Sequence, residues 1–395
     1  MTTMHNGRPG ARELALVFLR ISLLGFGGPN AHLALMLDEV VEKRRWIGRE
    51  HFLHLVGVTN LLPGPNSSEV AIHVGYTQLG WRGALVTGLS FLAPTFALVV
   101  LLSVLYFRYG AIPAAEPVFW GLKPAIVAIV LGAGWKLGRT AVTDAKLLGL
   151  AVVGVATPVL LDRWEVAAMA VGGAVAWLLY RGGTGPKAGS EPHTDPPTSP
   201  PARGSHQALA VVPLVGIAIG AGEVARVFWL SLWTGSVLFG GGYMLVALLE
   251  PYVVGAYGWL TTEQFLDGIA LTQAVPGPIV TFAAFVGYGV AGLPGAVAAT
   301  AGIYLPSFAA VLLVAPWLER WRRIDWVKAV LQGVNAVVAG AIVGVALTLV
   351  PPAVTDPGAA ALLVGALVAH FAFRVGPPWI VAAGLCAGLL KLLLG

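Results

Sequence analysis

The chain has 395 residues, of which 57% are hydrophobic and only 11% charged, with a mean hydropathy of +0.80. That balance excludes a water-soluble globular domain and predicts an all-α polytopic membrane protein. The net charge of +5 is small and its basic residues cluster at segment ends, which reads as topology and not nucleic-acid binding; the single cysteine, Cys386, excludes an intrachain disulfide and thiolate metal clusters.

Residues 1–12 form a short basic tail. Residues 13–36 are predicted as the first span, retained because it is too long for a cleaved signal and carries Arg20, and interrupted by Gly25-Phe-Gly-Gly-Pro29. Adjacent glycines let backbones approach and leave N–H groups free to face a ligand, so Gly27 and Gly28 are candidate binding positions, with a helix-packing seam as the plainer reading. His32 lies one turn after Pro29 and joins them as a candidate. Asp38, Glu39 and Glu42 precede Lys43, Arg44, Arg45, Trp46 and Arg49 at helical spacings, and surface ion pairs explain most of that run. Trp46 is an expected interface anchor, Arg44 and Arg45 are candidates to recruit an anion, and Glu39 is a candidate gate or coupling residue.

Residues 52–76 are broken at Asn60-Leu-Leu-Pro-Gly-Pro-Asn-Ser-Ser-Glu69, because Pro63, Gly64 and Pro65 cannot continue a helix. The segment is either a re-entrant hairpin of two half-helices or one kinked crossing. Spans follow at 84–107, 118–137, 147–161 and 166–180. Residues 181–207 are nearly devoid of apolar side chains and read as a flexible linker, and 208–221 as a short apolar segment. The next span, 227–249, contains Gly240-Gly-Gly242, and 265–288 are broken at Thr272-Gln-Ala-Val-Pro-Gly-Pro278. Apolar runs at 296–316, 327–350, 359–373 and 379–394 bring the total to about 13 segments.

The two breaks belong to an internal repeat. At a shift of 213, Phe26-Gly-Gly28 meets Phe239-Gly-Gly241, Trp46 meets Trp259, and Pro63-Gly-Pro65 meets Pro276-Gly-Pro278, with 15 identities in 41 positions over 26–66. At a shift of 212, Gly75-Tyr76 meets Gly287-Tyr288 and Pro94 meets Pro306. The predicted organisation is a first repeat at 13–180, the linker at 181–207, a connecting segment at 208–224 and a second repeat at 225–395. The loop after the first span carries Lys43, Arg44, Arg45 and Arg49 and its counterpart at 255–262 carries no basic residue, whereas Arg320, Arg322, Arg323 and Lys328 have only Arg108 as counterpart; by the positive-inside rule this pattern predicts inverted halves. Inversion needs an odd number of crossings. The 208–221 segment supplies it if the broken segment is one crossing, and a re-entrant segment requires another span to drop out.

Broken segments at corresponding places in two halves point to a transporter binding site. A helix starting after Pro65 aims free N–H groups and its positive dipole end into the break, and Asn60, Asn66, Ser67 and Ser68 add donors, so the environment suits an oxyanion; Gly64, Gln273 and Gly277 complete the candidate set. Glu69 and His73 are four apart in an apolar segment and are candidates to couple transport to a proton or cation, with a buried structural pair as the alternative. Two ligands without a third are not a metal site, and no cofactor is expected. No P-loop, zincin motif or nucleophile elbow is present, so the chain is not read as an enzyme.

Phe26-Gly-Gly-Pro29 with His32, Glu39-Val-Val-Glu-Lys-Arg-Arg-Trp46, Asn60 to Glu69 and His73-Val-Gly-Tyr76 together resemble the chromate ion transporter family, in its long, two-domain form. The resemblance covers nearly the whole chain outside the tail and linker. It implies two homologous domains of opposite orientation in the bacterial inner membrane, and secondary active export of chromate, a tetrahedral dianion, with chromate resistance as the result. Sulfate or another oxyanion as substrate, a passive anion channel and a homodimer stay open. The matching positions are Gly27, Gly28, Pro29, His32, Arg45, Trp46, Asn60, Pro63, Gly64, Pro65, Asn66, Ser67 and Glu69.

Overall fold

The computed structural model describes residues 9–26, 28–59, 62–109, 116–161, 164–181, 222–314 and 324–394, all of them helix, turn or irregular chain. Four helices among these residues are long and apolar enough to cross a bilayer. They are the multi-pass core, and shorter helical pairs pack around it.

The first element is not the predicted crossing. Helix α1 (Ala11–Leu24) ends at Gly25, and α2 (Pro29–Met36), which continues as a π-helix over Leu37–Lys43, runs back beside it. Glu13 near the start and Arg44 near the end are 3.9 Å apart, so the chain leaves on the face where it entered. The glycine–proline break splits the apolar run into pieces too short to cross, since 14 helical residues cover roughly 21 Å. The next pair repeats this shape. Helix α3 (Arg49–Thr59) descends to the Pro63-Gly-Pro65 tip and the first part of α4 (Asn66–Tyr109) returns, placing Gln78 Nε2 3.1 Å from the Trp46 carbonyl that accepts from it. The broken segment is therefore a re-entrant hairpin.

At Leu79 and Gly80 the chain folds back again, with φ of +63° at Gly80, a left-handed value that glycine adopts without steric cost. Residues 81–109 then form the first crossing, roughly 43 Å of helix. The reversal lets Gly75 and Gly83 touch backbone to backbone, and Thr87 Oγ1 donates to the Ala71 carbonyl at 2.8 Å. Any side chain at Gly75 would enter the Gly83 carbonyl. Gly75→Leu is expected to cost at least about 1–3 kcal/mol and to deplete folded protein, as a melting scan of the purified chain would record.

The second half reproduces each step. Helix α8 (Glu223–Ser236) and α9 (Met244–Glu250, continued as a π-helix over Pro251–Ala256) form the first hairpin, closed by Trp233 against Tyr252 at 5.4 Å. Helix α10 (Thr262–Gln273) descends to Pro276-Gly-Pro278, and α11 (Phe282–Ala309) returns, reverses at Ala291 and Gly292, and crosses. Gly292 has φ +61° and lies 212 residues after Gly80; Gly287 and Gly295 meet as Gly75 and Gly83 do. The duplication read from sequence is thus matched turn for turn.

The halves are inverted. The two crossing helices pack with Gly88 against Phe308 at one end and Phe107 against Tyr288 and Gly289 at the other. The turn at Gly80 therefore lies on one face of the molecule and the turn at Gly292 on the opposite face. Helix α5 (Glu116–Ala141) and α12 (Asp325–Thr348) run antiparallel through the centre, with Gly134 against Val343 and Gly138 near Ala339. The pair α6 (Ala145–Leu160) and α7 (Glu165–Tyr180) covers α12, whereas α13 (Pro357–Phe371) and α14 (Pro377–Leu394) cover α5. Each half thus wraps the central helix of the other. Asp144 caps α6 and accepts from Tyr180, which returns α7 to the face where α6 began; Asp356, 212 residues later, caps α13.

Both hairpins of the first half drop out of the crossing count, and the segment that a re-entrant reading required to do so is the first one, residues 13–36. Four crossings remain before Tyr180, so Tyr180 lies on the face of Glu13 and Glu223 on the other. The 208–221 segment expected to supply the odd crossing, all of the linker after Arg181 and the basic residues Arg320, Arg322 and Arg323 lie outside the described residues.

Candidate functional site

The four helix breaks meet in the middle of the molecule. The Gly64 N–H donates to the Leu238 carbonyl at 2.7 Å, joining the first Pro-Gly-Pro tip to the glycine-rich tip of the second half. Gly242 abuts Ile279 and Val280, and a cleft between the halves is lined by Gly28, Pro29, Tyr243, Gln273 and Gly277. In a bilayer, irregular backbone is tolerated only where protein or a water-filled cavity covers it. Here each tip is covered by the crossing helix of the opposite half.

That cover is specific. Thr95 and Ser307 follow the prolines Pro94 and Pro306 at equivalent positions of the two crossing helices. Thr95 Oγ1 donates to the Pro276 carbonyl at 2.9 Å, and Ser22 lies 3.2 Å from the same hydroxyl. The Ser307 hydroxyl and the Glu69 carboxyl both lie against Gly64, on the side where a Cβ would project. The first tip differs from the second in chemistry. Ser67, Ser68 and Glu69 are buried on the helix that starts at Asn66, and among the described residues the hydroxyls of Ser67, Ser68 and Ser307 and both Glu69 oxygens make no hydrogen bond of normal geometry, with Ser307 facing the Glu69 carboxyl and Ser68 facing Tyr304. At the shift of 213 that aligns the tips the counterpart of Glu69 is Phe282, and beside it the Thr281 hydroxyl lies 3.4 Å from the Tyr304 hydroxyl. One tip therefore carries a buried acid among unpaired hydroxyls, and the other carries a neutral pair.

The structure sorts the predicted residues. Gly64, Ser67, Ser68 and Glu69 come together with Ser307 at the first tip. Asn66 begins the return helix and accepts from Thr59 Oγ1. Gly28, Gln273 and Gly277 line the cleft beside the second tip, with Gln273 Nε2 donating to the Tyr243 hydroxyl at 2.9 Å. Gly27 and Asn60 lie outside the described residues. His32 is fully buried inside the first hairpin, its ring on Gly25 and edge-on to Phe91 at 5.1 Å. The hairpin folds the ring back onto α1, and among the described residues neither ring nitrogen makes a hydrogen bond of normal geometry.

No hydrogen bond or ion pair joins Glu69 to His73, although they are one turn apart. Glu69 faces the tip, while His73 sits toward the mouth, its ring 6.4 Å from Tyr76. Arg44 is paired with Glu39 and reaches Glu13, and Lys43 binds Glu39 at 3.0 Å and Asp38 at 2.6 Å. Glu39 and Arg44 thus close the mouth of the first hairpin. Arg45 adopts φ +53°, an uncommon value for a residue with a side chain, where the π-helix ends and the chain turns toward Trp46. Among the described residues no cluster of three metal-ligating side chains occurs.

Sequence reasoning did not reach Thr95, Ser307, Tyr243 or a buried pair, Lys123 and Asp267. The register of Pro94-Thr95 with Pro306-Ser307 was the available signal for the first two, and an ionisable residue inside the apolar run 118–137 was the signal for Lys123.

Comparison with known proteins agrees with this architecture. The family described as chromate transporter matches residues 12–178 and again 225–389. A chromate transport protein of Cupriavidus metallidurans is 31% identical over 96% of this chain and 92% of its own length. One from Pseudomonas aeruginosa is 34% identical over 84% and 79% respectively. An uncharacterised transporter of Methanocaldococcus jannaschii is 26% identical over 86% of this chain and 84% of its own. No solved structure matches the chain. A double match to one family, on a fold of two inverted halves that each bear a Pro-Gly-Pro tip, makes the chain a member of the chromate transporter family.

Proposed function

We propose that this chain is a secondary active transporter that exports chromate from the cytoplasm across the plasma membrane, without altering the anion chemically, and so confers chromate resistance. The observation that carries the reading is the meeting of two re-entrant tips, entered from opposite faces, around buried hydroxyls that make no hydrogen bond of normal geometry among the described residues. Such tips present helix N-termini and uncommitted donors to a tetrahedral oxyanion, and Asn60, Asn66, Ser67 and the tip backbone are its proposed contacts. Glu69 is the proposed coupling group.

Direction follows from charge. Lys43, Arg44, Arg45, Arg49, Arg82, Arg139, Lys146 and Arg181 share one face, which the positive-inside rule assigns to the cytoplasm. The mouth on that face draws anions in. The opposite mouth carries Glu250, Glu263 and Asp267, and residues 251–262 contain no lysine or arginine, so an anion released there is not readily recaptured. Chromate uptake into inside-out membrane vesicles tests the proposal. Accumulation driven by a proton gradient or a potential, little inhibited by sulfate, is expected. Flux that never exceeds equilibrium would identify a channel instead, and equal inhibition by sulfate would widen the substrate to oxyanions generally.

A further inference from the structure

A second charged site lies away from the tips, between the halves. Lys123 on α5 and Asp267 on α10 face each other near the outer mouth, their side chains 15% and 9% exposed. Lys123 Nζ is 3.7 Å from Asp267 Oδ1 and 3.9 Å from Glu263 Oε1, both beyond hydrogen-bond length. Asp267 Oδ2 accepts from the Tyr106 hydroxyl at 2.8 Å, whereas Oδ1 is buried with no hydrogen-bond partner among the described residues. Burying a charged pair is costly, and a pair kept only for stability would close to full contact. This one is held apart, with the carboxylate anchored from behind by Tyr106.

The repeat argues that the fold does not require the pair. The equivalents of Asp267 and Lys123 are His54 and Asn335, so the corresponding positions hold no acid–lysine couple. Position argues for transport. Asp267 lies between water-exposed Glu263 and the second tip, roughly 9 Å of helix before Gln273, where the helix ends. Among the described residues, other cations toward this face are engaged: Arg226 binds Glu223 at 2.9 Å, Lys391 binds Asp356 at 3.4 Å and Arg108 lies over Tyr109. Lys123 is the fixed positive charge that an anion leaving the tips on this side meets. Pro124 follows it and interrupts the helix ladder there.

Resting on the oxyanion reading above, we propose that Lys123 is an exit binding group for a tetrahedral oxyanion, and that Asp267 is a tethered anion which takes its place between transport cycles. The substrate accepts the ammonium hydrogen bonds that Asp267 does not, and the carboxylate, still held by Tyr106, returns to expel it.

Equilibrium dialysis of the purified full-length protein with chromate and with sulfate, alongside a melting scan and flux in proteoliposomes, tests the exchange. Asp267→Asn is expected to lower the Kd about tenfold while slowing turnover, because the competing charge is gone. Lys123→Gln is expected to raise the Kd about tenfold, and the double variant to bind like Lys123→Gln alone. A merely structural pair predicts the opposite pattern: both single variants melt early, and the double variant recovers melting temperature, binding and flux together. That pattern, or an unchanged Kd in Asp267→Asn, overturns the proposal. If chromate does not bind but sulfate shows the expected order, the substrate reading falls and the exit site stands. Binding of neither anion by the unmodified protein overturns both.

Discussion

Gly64→Ala and Gly277→Ala are expected to reduce chromate flux at least tenfold, and Gly277→Ala to do so more completely. The two glycines are the centres of the tips, with φ of +146° and +124°, where a side chain strains the backbone by about 1–2 kcal/mol. Space adds to the strain. A methyl group at Gly277 would overlap Thr95, whose hydroxyl is already committed to the Pro276 carbonyl and lies beside Ser22, so Thr95 cannot turn aside without breaking the joint between the halves. A methyl group at Gly64 would overlap the Ser307 hydroxyl and the Glu69 carboxyl, which have no partners to lose and give way more readily. Overpacking of this kind costs about 1–3 kcal/mol in a core. Gly28 supplies the comparison, since its φ of +79° carries strain but nothing lies near the added methyl. Vesicle flux should therefore fall in the order Gly277→Ala, Gly64→Ala, Gly28→Ala, with membrane-inserted protein retained in all three. If Gly28→Ala proved the most damaging, the tips would not be packed as described.

The same residues explain how much of this architecture could be read in advance. Proline and glycine act on their own neighbours, so the breaks at Pro63-Gly-Pro65 and Pro276-Gly-Pro278 and their repeat were legible from the chain alone. Whether a broken segment crosses or returns is decided by contacts far apart in sequence. Glu13 with Arg44, and Trp46 with Gln78, make the hairpins, and none of these residue types announces such a partner. Residues 13–36 were read as one span because apolar composition was continuous across Gly25 to Pro29, though neither piece is long enough to cross alone. Glu69 was legible because an acid stands out in an apolar run. Ser307 was not, because a serine in a membrane helix is ordinary and its importance comes from the tip that the other half lays against it. His73 was grouped with Glu69 by helical spacing, but the hairpin sends one toward the tip and leaves the other toward the mouth.

Replacing Glu69 separates binding from coupling at the first tip. The carboxyl is completely buried, stands against Gly64 and Ser307, and makes no hydrogen bond of normal geometry on either oxygen among the described residues. Polar groups in such places are normally satisfied, and an unsatisfied one costs about 1–3 kcal/mol, so its retention calls for a function. Glu69→Ala removes the group and opens a gap beneath the tip; it is expected to abolish both energised accumulation and chromate exchange between loaded vesicles and medium. Glu69→Gln keeps the shape and the hydrogen-bonding capacity but removes the ionisable group. It is expected to retain exchange while losing accumulation at least tenfold, because a carrier that cannot take up its coupling ion still equilibrates its substrate. Asn66→Ala is expected to lose both activities, since Asn66 starts the helix whose N-terminus forms the tip and accepts from Thr59 across it. Wild-type accumulation in Glu69→Gln would place coupling elsewhere, with Asp267 next in line. Wild-type behaviour in both alanine variants would remove the oxyanion from this tip altogether.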